Sequence, residues 1–247
     1  MQKFYTVIGL DFETGGLDPT RHGSTQVALE AIRLDTLETI DRYSAYIAPY
    51  DKQETGQKRK ILKPRWELQL DFGSGERMEY EEKALSCSGI TVEMLNRRGK
   101  NYLEVAKNII DFAVRYTFSP RLKPVLSGQN ILFDIGFLQQ LMNYAGMVKE
   151  FEKTFSGCYD FYGNFQPHSI DTLQLARLAF AGDETFTSCK LEMIAAHLGI
   201  SLENAHDAGA DIEATIEILR QLSFRMRSRA CGVETARRER QRDYFKI

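Results

Sequence analysis

The stretch that most limits the fold is the opening run "FYTVIGLDF" (residues 4–12), which is apolar with almost no alternation and stops at the turn signal "GGLDP". A strand that lacks a polar face is covered on both sides, so this one belongs at the centre of a sheet with other elements packed above and below it. Two more strand-like runs follow, "TQVALEAIRLD" and "ETIDRYSAYIAPY", joined by a short polar link, so the chain opens as an antiparallel meander. From residue 101 the period changes. Leu103, Ala106, Ile110 and Ala113 recur at steps of three and four, and the run ends before Pro120. Beyond it "PVLSG" and "HSID" read as short strands. "DIGFLQQLMNYAG" reads as a helix with Ile135, Leu138, Met142 and Ala145 inward and Gly146 as its stop, and "TLQLARLAF" as another. Two further stripes are Leu191, Ile194, Ala195 and Leu198, then Ile212, Ile216 and Leu219. An antiparallel opening followed by alternating strands and helices predicts an α/β fold, a mixed sheet with helices packed on it.

The chain has 247 residues, 43% of them hydrophobic, which suffices for one sizeable core. The expected division is one domain over residues 1–224, carrying an insertion at about 50–88 with a hairpin-like turn at Gly73, Ser74 and Gly75, and a basic tail over 225–247. No apolar run approaches the roughly 20 residues of a membrane span, and the start lacks the pattern of a signal peptide, so the expected location is cytoplasmic, with no membrane partner. The cysteines Cys87, Cys158, Cys189 and Cys231 are scattered without a C-x-x-C pair, which suggests neither a disulfide framework nor a structural zinc site. The net charge of -2 hides local asymmetry: residues 58–66 ("KRKILKPRW") are basic, and arginines recur from Arg225 onward. Both stretches are expected to meet nucleic-acid backbone, although the tail reads equally as a helix extension or a partner peptide.

Carboxylates supply the chemistry. Side chains alternate along a strand, so Asp11 and Glu13 project to one side at the end of the first strand and Phe12 to the other. Acids crowded together repel and raise one another's pKa unless a cation neutralises them, which points to a hard divalent metal. A lone D-x-E tripeptide is common. Asp134 and Asp211 each stand at a helix start, where an acid also serves the helix dipole, so no single one of these residues is decisive. Asp171 and Asp207 are assigned to that structural or solvent role.

Order and spacing decide more. "DFET" (11–14), "NILFD" (130–134) and "HDAGAD" (206–211), with the connecting "SGIT", "IDT" and "KLEMIAAHLGI", resemble the three motifs of the DnaQ-like, or DEDD, 3′ to 5′ exonucleases over about residues 4–222. The resemblance implies a ribonuclease H-like fold, a five-stranded mixed sheet whose second strand is antiparallel. It also implies two-metal phosphodiester hydrolysis with ions about 4 Å apart. Asp11, Glu13, Asp134 and Asp211 would hold Mg²⁺ or Mn²⁺. The histidine five before the last aspartate marks the DEDDh subtype, so His206 is implied as general base, and an imidazole that titrates near neutrality suits that task. His22, His168 and His197 have no such setting. Thr14, Gly15, Leu17 and Phe133 are the implied contacts to the 3′ nucleotide, with one departure: Gly15 stands where the family often has a second threonine. The implied partner is single-stranded nucleic acid, DNA before RNA, with a polymerase or repair protein as a further partner. An RNA-trimming exoribonuclease and a non-catalytic nucleic-acid-binding module are the alternatives.

Overall fold

The computed structural model describes residues 5–53, 76–202 and 206–230, with side chains to 227. Its main sheet has five strands in the order β3-β2-β1-β4-β7: β1 (Thr6–Thr14), β2 (Ser24–Arg33), β3 (Thr39–Tyr46), β4 (Val125–Gly128) and β7 (Ser169–Asp171). β2 runs antiparallel to β1 and β3, while β4 is parallel to both β1 and β7, so β2 is the one reversed strand of the sheet. β1 is central, as its two-sided apolar run requires.

The two faces of β1 are covered by different helices. Ile8, Leu10 and Phe12 pack in a core with α3 (Tyr102–Val114) and α4 (Leu132–Tyr144), which contribute Val105, Ile109, Phe112, Phe137 and Leu141. Val7 faces the other way, onto Ile212, Ile216 and Leu219 of α8 (Ala208–Ala230). α6 (Thr172–Ala179) and α7 (Leu191–Leu198) pack on the outer part of α8 through Ala176, Phe180, Ile194, Ala195, Ile218 and Leu222.

Gly9 sets how closely α8 can approach. A Cβ at this position would lie 2.8 Å from the Cδ1 atoms of both Ile212 and Ile216. Gly9→Val therefore overpacks the β1–α8 contact, and we expect a cost of about 2 kcal/mol. That corresponds to a fall of roughly 4–8 °C in thermal midpoint, readable by thermal denaturation.

Several helical expectations change in detail. Leu103 is 47% exposed, because the buried stripe of α3 is broader and rotated, running through Val105, Ala106, Ile109, Ile110, Phe112 and Ala113. Ala145, Leu191 and Leu198 are only half-buried. Gly146 takes a left-handed φ of 68° just after α4. The short elements α1 (Glu82–Ser88), α2 (Val92–Arg98), α5 (Val148–Thr154) and the β5 (Gly157–Tyr159) and β6 (Phe165–Pro167) pair were not legible, since seven residues or fewer give a periodicity almost no room to show.

The hairpin-like turn at Gly73, Ser74 and Gly75 and the basic run at 58–66 lie outside the described residues. Their flanks meet in an antiparallel bridge between Asp51 and Arg77, with Met78 N–H donating to Tyr50 O at 3.0 Å. α8 continues to Ala230, so residues 225–230 extend a helix of the folded domain. Arg227 donates to Leu34 O and Asp35 O, and the Arg225 guanidinium lies over the Phe180 ring, so these two arginines are engaged within the chain. Residues 231–247 lie outside the described residues.

Candidate active site

Four acids separated by up to 200 positions in the sequence are brought to one end of β1. β1 outruns its parallel neighbour: the last β1–β4 pair is Gly9 with Ser127, so the edge of β1 beyond it is open. Asp134, in the first turn of α4 and 3% exposed, fills that gap by accepting the Phe12 N–H at Oδ1, 2.9 Å away. The strand alternation that carries Phe12 into the core turns Asp11 and Glu13 toward α8.

α8 begins earlier than its sequence suggests. Asp207 caps it, its Oδ1 accepting the N–H groups of Gly209 (3.0 Å) and Ala210 (3.2 Å), while Gln26 Nε2 donates to its other oxygen at 3.1 Å. Asp211 is therefore not the first residue of the helix, as expected, but the fourth, and it looks inward. Its Oδ2 accepts the N–H of His206 at 3.2 Å, and its buried Oδ1 has no hydrogen-bond partner among the described residues. His206 sits on a left-handed turn, φ 69°, and is exposed at the mouth of the site. One candidate ligand atom each from Glu13, His206 and Asp211 lie within 4.8 Å of one another.

The electrostatics follow from burying like charges together. Burial raises the Asp11 carboxyl well above its ordinary range, and the negative charges of Asp134, Asp211, Glu13 and Asp207 add to the effect. Glu13 is pushed up to about 8, again by burial first and then by Asp211, Asp134 and Asp207. Asp134 is pushed up to about 8 by burial, against the opposing Phe12 N–H bond. Asp211 is raised by burial, with the His206 N–H and charge pulling the other way. A buried carboxylate oxygen without a partner among the described residues, beside acids that cannot all ionise in each other's company, makes a set of oxygen donors that fits a hard divalent cation.

The expected nucleotide contacts fare differently. Leu17, at the turn after β1, is 81% exposed. Phe133 is half-buried and packs on Phe137 with ring centroids 5.1 Å apart. Thr14 folds its hydroxyl back onto Gly16 O at 2.8 Å. Gly15 donates its N–H to Gly23 O and accepts from Glu81 N–H, both at 2.7 Å, so its backbone holds the turn together. The departure at this position has a steric cause: a Cβ on residue 15 would lie 2.8 Å from Glu79 O and from the Tyr80 ring, leaving no room for threonine.

Asp171 caps α6 by accepting Leu173 N–H and also takes Asn130 N–H, both at 3.0 Å. His197 bonds Asp183 at 3.1 Å and packs on Phe180 and Phe186, while His168 bonds Ser156. Gln26 went unnoticed in the sequence. It is 3% exposed and orients the Asp207 cap, and its signal was a glutamine inside the otherwise apolar run "TQVALEAI".

No family model matches the chain. A DNA polymerase III of the PolC type from Clostridium perfringens is 35% identical over 96 residues, which is 39% of this chain and 5% of that protein. E. coli Exonuclease I in complex with a dT13 oligonucleotide superposes with a TM-score of 0.62 at 19% identity, over 92% of this chain and 43% of its own. The zinc-bound form of the E. coli ExoI–ssDNA complex gives 0.64 at 20% identity, over 92% and 42%. The chain thus spans less than half the length of these structures and a small fraction of the polymerase. Its fold is the ribonuclease H-like fold of Exonuclease I.

Proposed function

We propose that this chain is a 3′ to 5′ exonuclease of the DnaQ-like DEDDh type that hydrolyses phosphodiester bonds of single-stranded DNA. The observation that carries the reading is the meeting of Glu13, His206 and Asp211 within 4.8 Å, beside a buried Asp211 oxygen without a partner among the described residues, at the strand end that bears Asp11 and is met by Asp134 of α4. The PolC-type relative and the oligonucleotide-bound Exonuclease I structures support DNA as the polymer.

Asp11, Glu13, Asp134 and Asp211 would hold divalent ions, and the zinc-bound relative supports such occupancy. Oxygen donors favour Mg²⁺ or Mn²⁺ over zinc. Bound there, a pair of such ions would supply the positive charge that makes hydroxide accessible near neutral pH and offsets charge developing on the phosphate. The protein's own groups do the rest. His206 is held at the mouth by the bond from its N–H to Asp211 and offers its imidazole as the proton acceptor. Asp134 ties the start of α4 to β1, so that the carboxylates of two elements keep one spacing. Leu17 presents an apolar side chain to the incoming nucleotide.

The test is incubation with Mg²⁺ and 5′-end-labelled single- and double-stranded DNA and RNA. We expect a ladder shortening from the 3′ end of single-stranded DNA, abolished by EDTA. Intact DNA and RNA with either Mg²⁺ or Mn²⁺ would overturn the reading, and a ladder on RNA alone would replace DNA with RNA as the substrate.

A further inference from the structure

The turn that carries Leu17 has no regular secondary structure, yet its exposed leucine has to meet a substrate in one place. Its rigidity comes from a buried imidazole. His22 is 3% exposed and its ring lies against Gly16, where any side chain would overlap it. Nε2 is 3.0 Å from Glu81 Oε1. A carboxylate only accepts, so Nε2 carries the hydrogen and Nδ1 offers its lone pair. Nδ1 accordingly accepts the Asp18 N–H at 3.0 Å. Nδ1 is also 3.0 Å from the Asp18 carbonyl oxygen, but that oxygen already takes the N–H groups of Arg21 (3.0 Å) and His22 (2.8 Å). Below the ring, Gln140 of α4 donates to the carbonyls of Pro19 and His22, and its own oxygen accepts the Tyr50 hydroxyl at 2.8 Å. The turn is thus bolted to the helix that also bears Asp134.

We propose that His22 is a positioning residue for substrate: through Nδ1 it fixes the Asp18 amide, and with it the placement of the neighbouring Leu17 against the 3′ nucleotide. This rests on the exonuclease reading. Loss of the Nδ1 acceptor leaves a partly buried N–H without that partner and frees the turn to adopt other shapes. A looser wall weakens substrate binding without touching the groups that react.

Two substitutions separate the two ring nitrogens. In His22→Asn the amide oxygen takes the place of Nδ1 and still accepts from Asp18. In His22→Gln the amide nitrogen takes the place of Nε2 and reaches Glu81, but no acceptor faces Asp18. We expect H22Q to raise KM for a single-stranded oligonucleotide about tenfold with kcat changed less than about twofold, and H22N to return KM to within about threefold of the unsubstituted protein. Hydrogen exchange at the Asp18 amide provides a readout independent of turnover: slow in the unsubstituted protein and H22N, fast in H22Q. Equal behaviour of the two variants, whether both unaffected or both impaired in step with a lowered thermal midpoint, would overturn the assignment while leaving the exonuclease reading in place. A chain that neither shortens an oligonucleotide in Mg²⁺ nor binds one in Ca²⁺ overturns both together.

Discussion

Asp11→Asn is expected to lower turnover by about 10³-fold or more while making the metal-free protein more stable. The two effects have one cause. Each neighbour acting on the Asp11 carboxyl, namely Asp134, Asp211, Glu13 and Asp207, disfavours its charge, and so does burial. An amide of the same shape is neutral without taking up a proton, so it avoids the cost that folding imposes on this buried carboxyl, and the thermal midpoint measured in EDTA rises. The same amide is a poor partner for a divalent ion, so the charge required at the phosphate is no longer assembled and the initial rate collapses. The combination is diagnostic, because an ordinary damaging substitution lowers both activity and stability. A variant that keeps more than about a tenth of the rate would remove Asp11 from the proposed machinery, as the same cut-off of roughly 1.4 kcal/mol is too small for a metal-holding group. Unchanged binding and unchanged readout in this variant would favour a non-catalytic module.

Divalent ions are expected to stabilise the fold strongly at pH 8 and hardly at all at pH 5. Glu13 and Asp134 are pushed up to about 8 in the folded protein from ordinary values of 4.5 and 3.8. Below about pH 4 both folded and unfolded chains hold these protons and the contribution to stability is complete. Between about pH 4 and pH 8 the unfolded chain has lost them while the folded one retains them, so the folded state binds more protons and its stability falls as pH rises. A cation that replaces those protons reverses the loss. Mg²⁺ or Mn²⁺ at 100 times its dissociation constant contributes about 2.7 kcal/mol. For a chain of this size that is a rise of about 5–10 °C in midpoint at pH 8. At pH 5 protons compete and the difference between Mg²⁺ and EDTA should be near zero. Equal midpoints with Mg²⁺, Mn²⁺ and EDTA at pH 8 would show that the acids hold no such ion.

The candidate site could be proposed from sequence because each of its three motifs is local and their order resembles the DnaQ-like pattern. Asp11 and Glu13 share a face by the two-residue period of a strand, and "NILFD" and "HDAGAD" place Asp134 and Asp211 near helix starts. What could not be read were the offsets. Asp211 stands one turn inside α8 because Asp207, supported by Gln26 from β2, captures the first free N–H groups. Gly15 stands out in the sequence only as a departure from the family's second threonine, whereas in the structure it makes room for Glu79 and Tyr80, residues more than 60 positions away. His22 was set aside as an ordinary histidine, since nothing near it in sequence announces Glu81 or Gln140.

By itself the sequence determined the central strand, the reversed second strand, the alternation that follows and the five residues around which the chemistry is proposed. The strands and helices depend on periodicities within a dozen residues, which the backbone geometry imposes wherever the chain lies, whereas the five residues are what the resemblance of three separated motifs to the DnaQ-like pattern implies. Only the tertiary structure decided how far the acids are perturbed, how far inside α8 Asp211 lies, and what holds the turn after β1. Those outcomes come from charges, packing and hydrogen bonds between segments up to 200 residues apart, and the free energy of such contacts depends on distance in space, which local sequence does not encode.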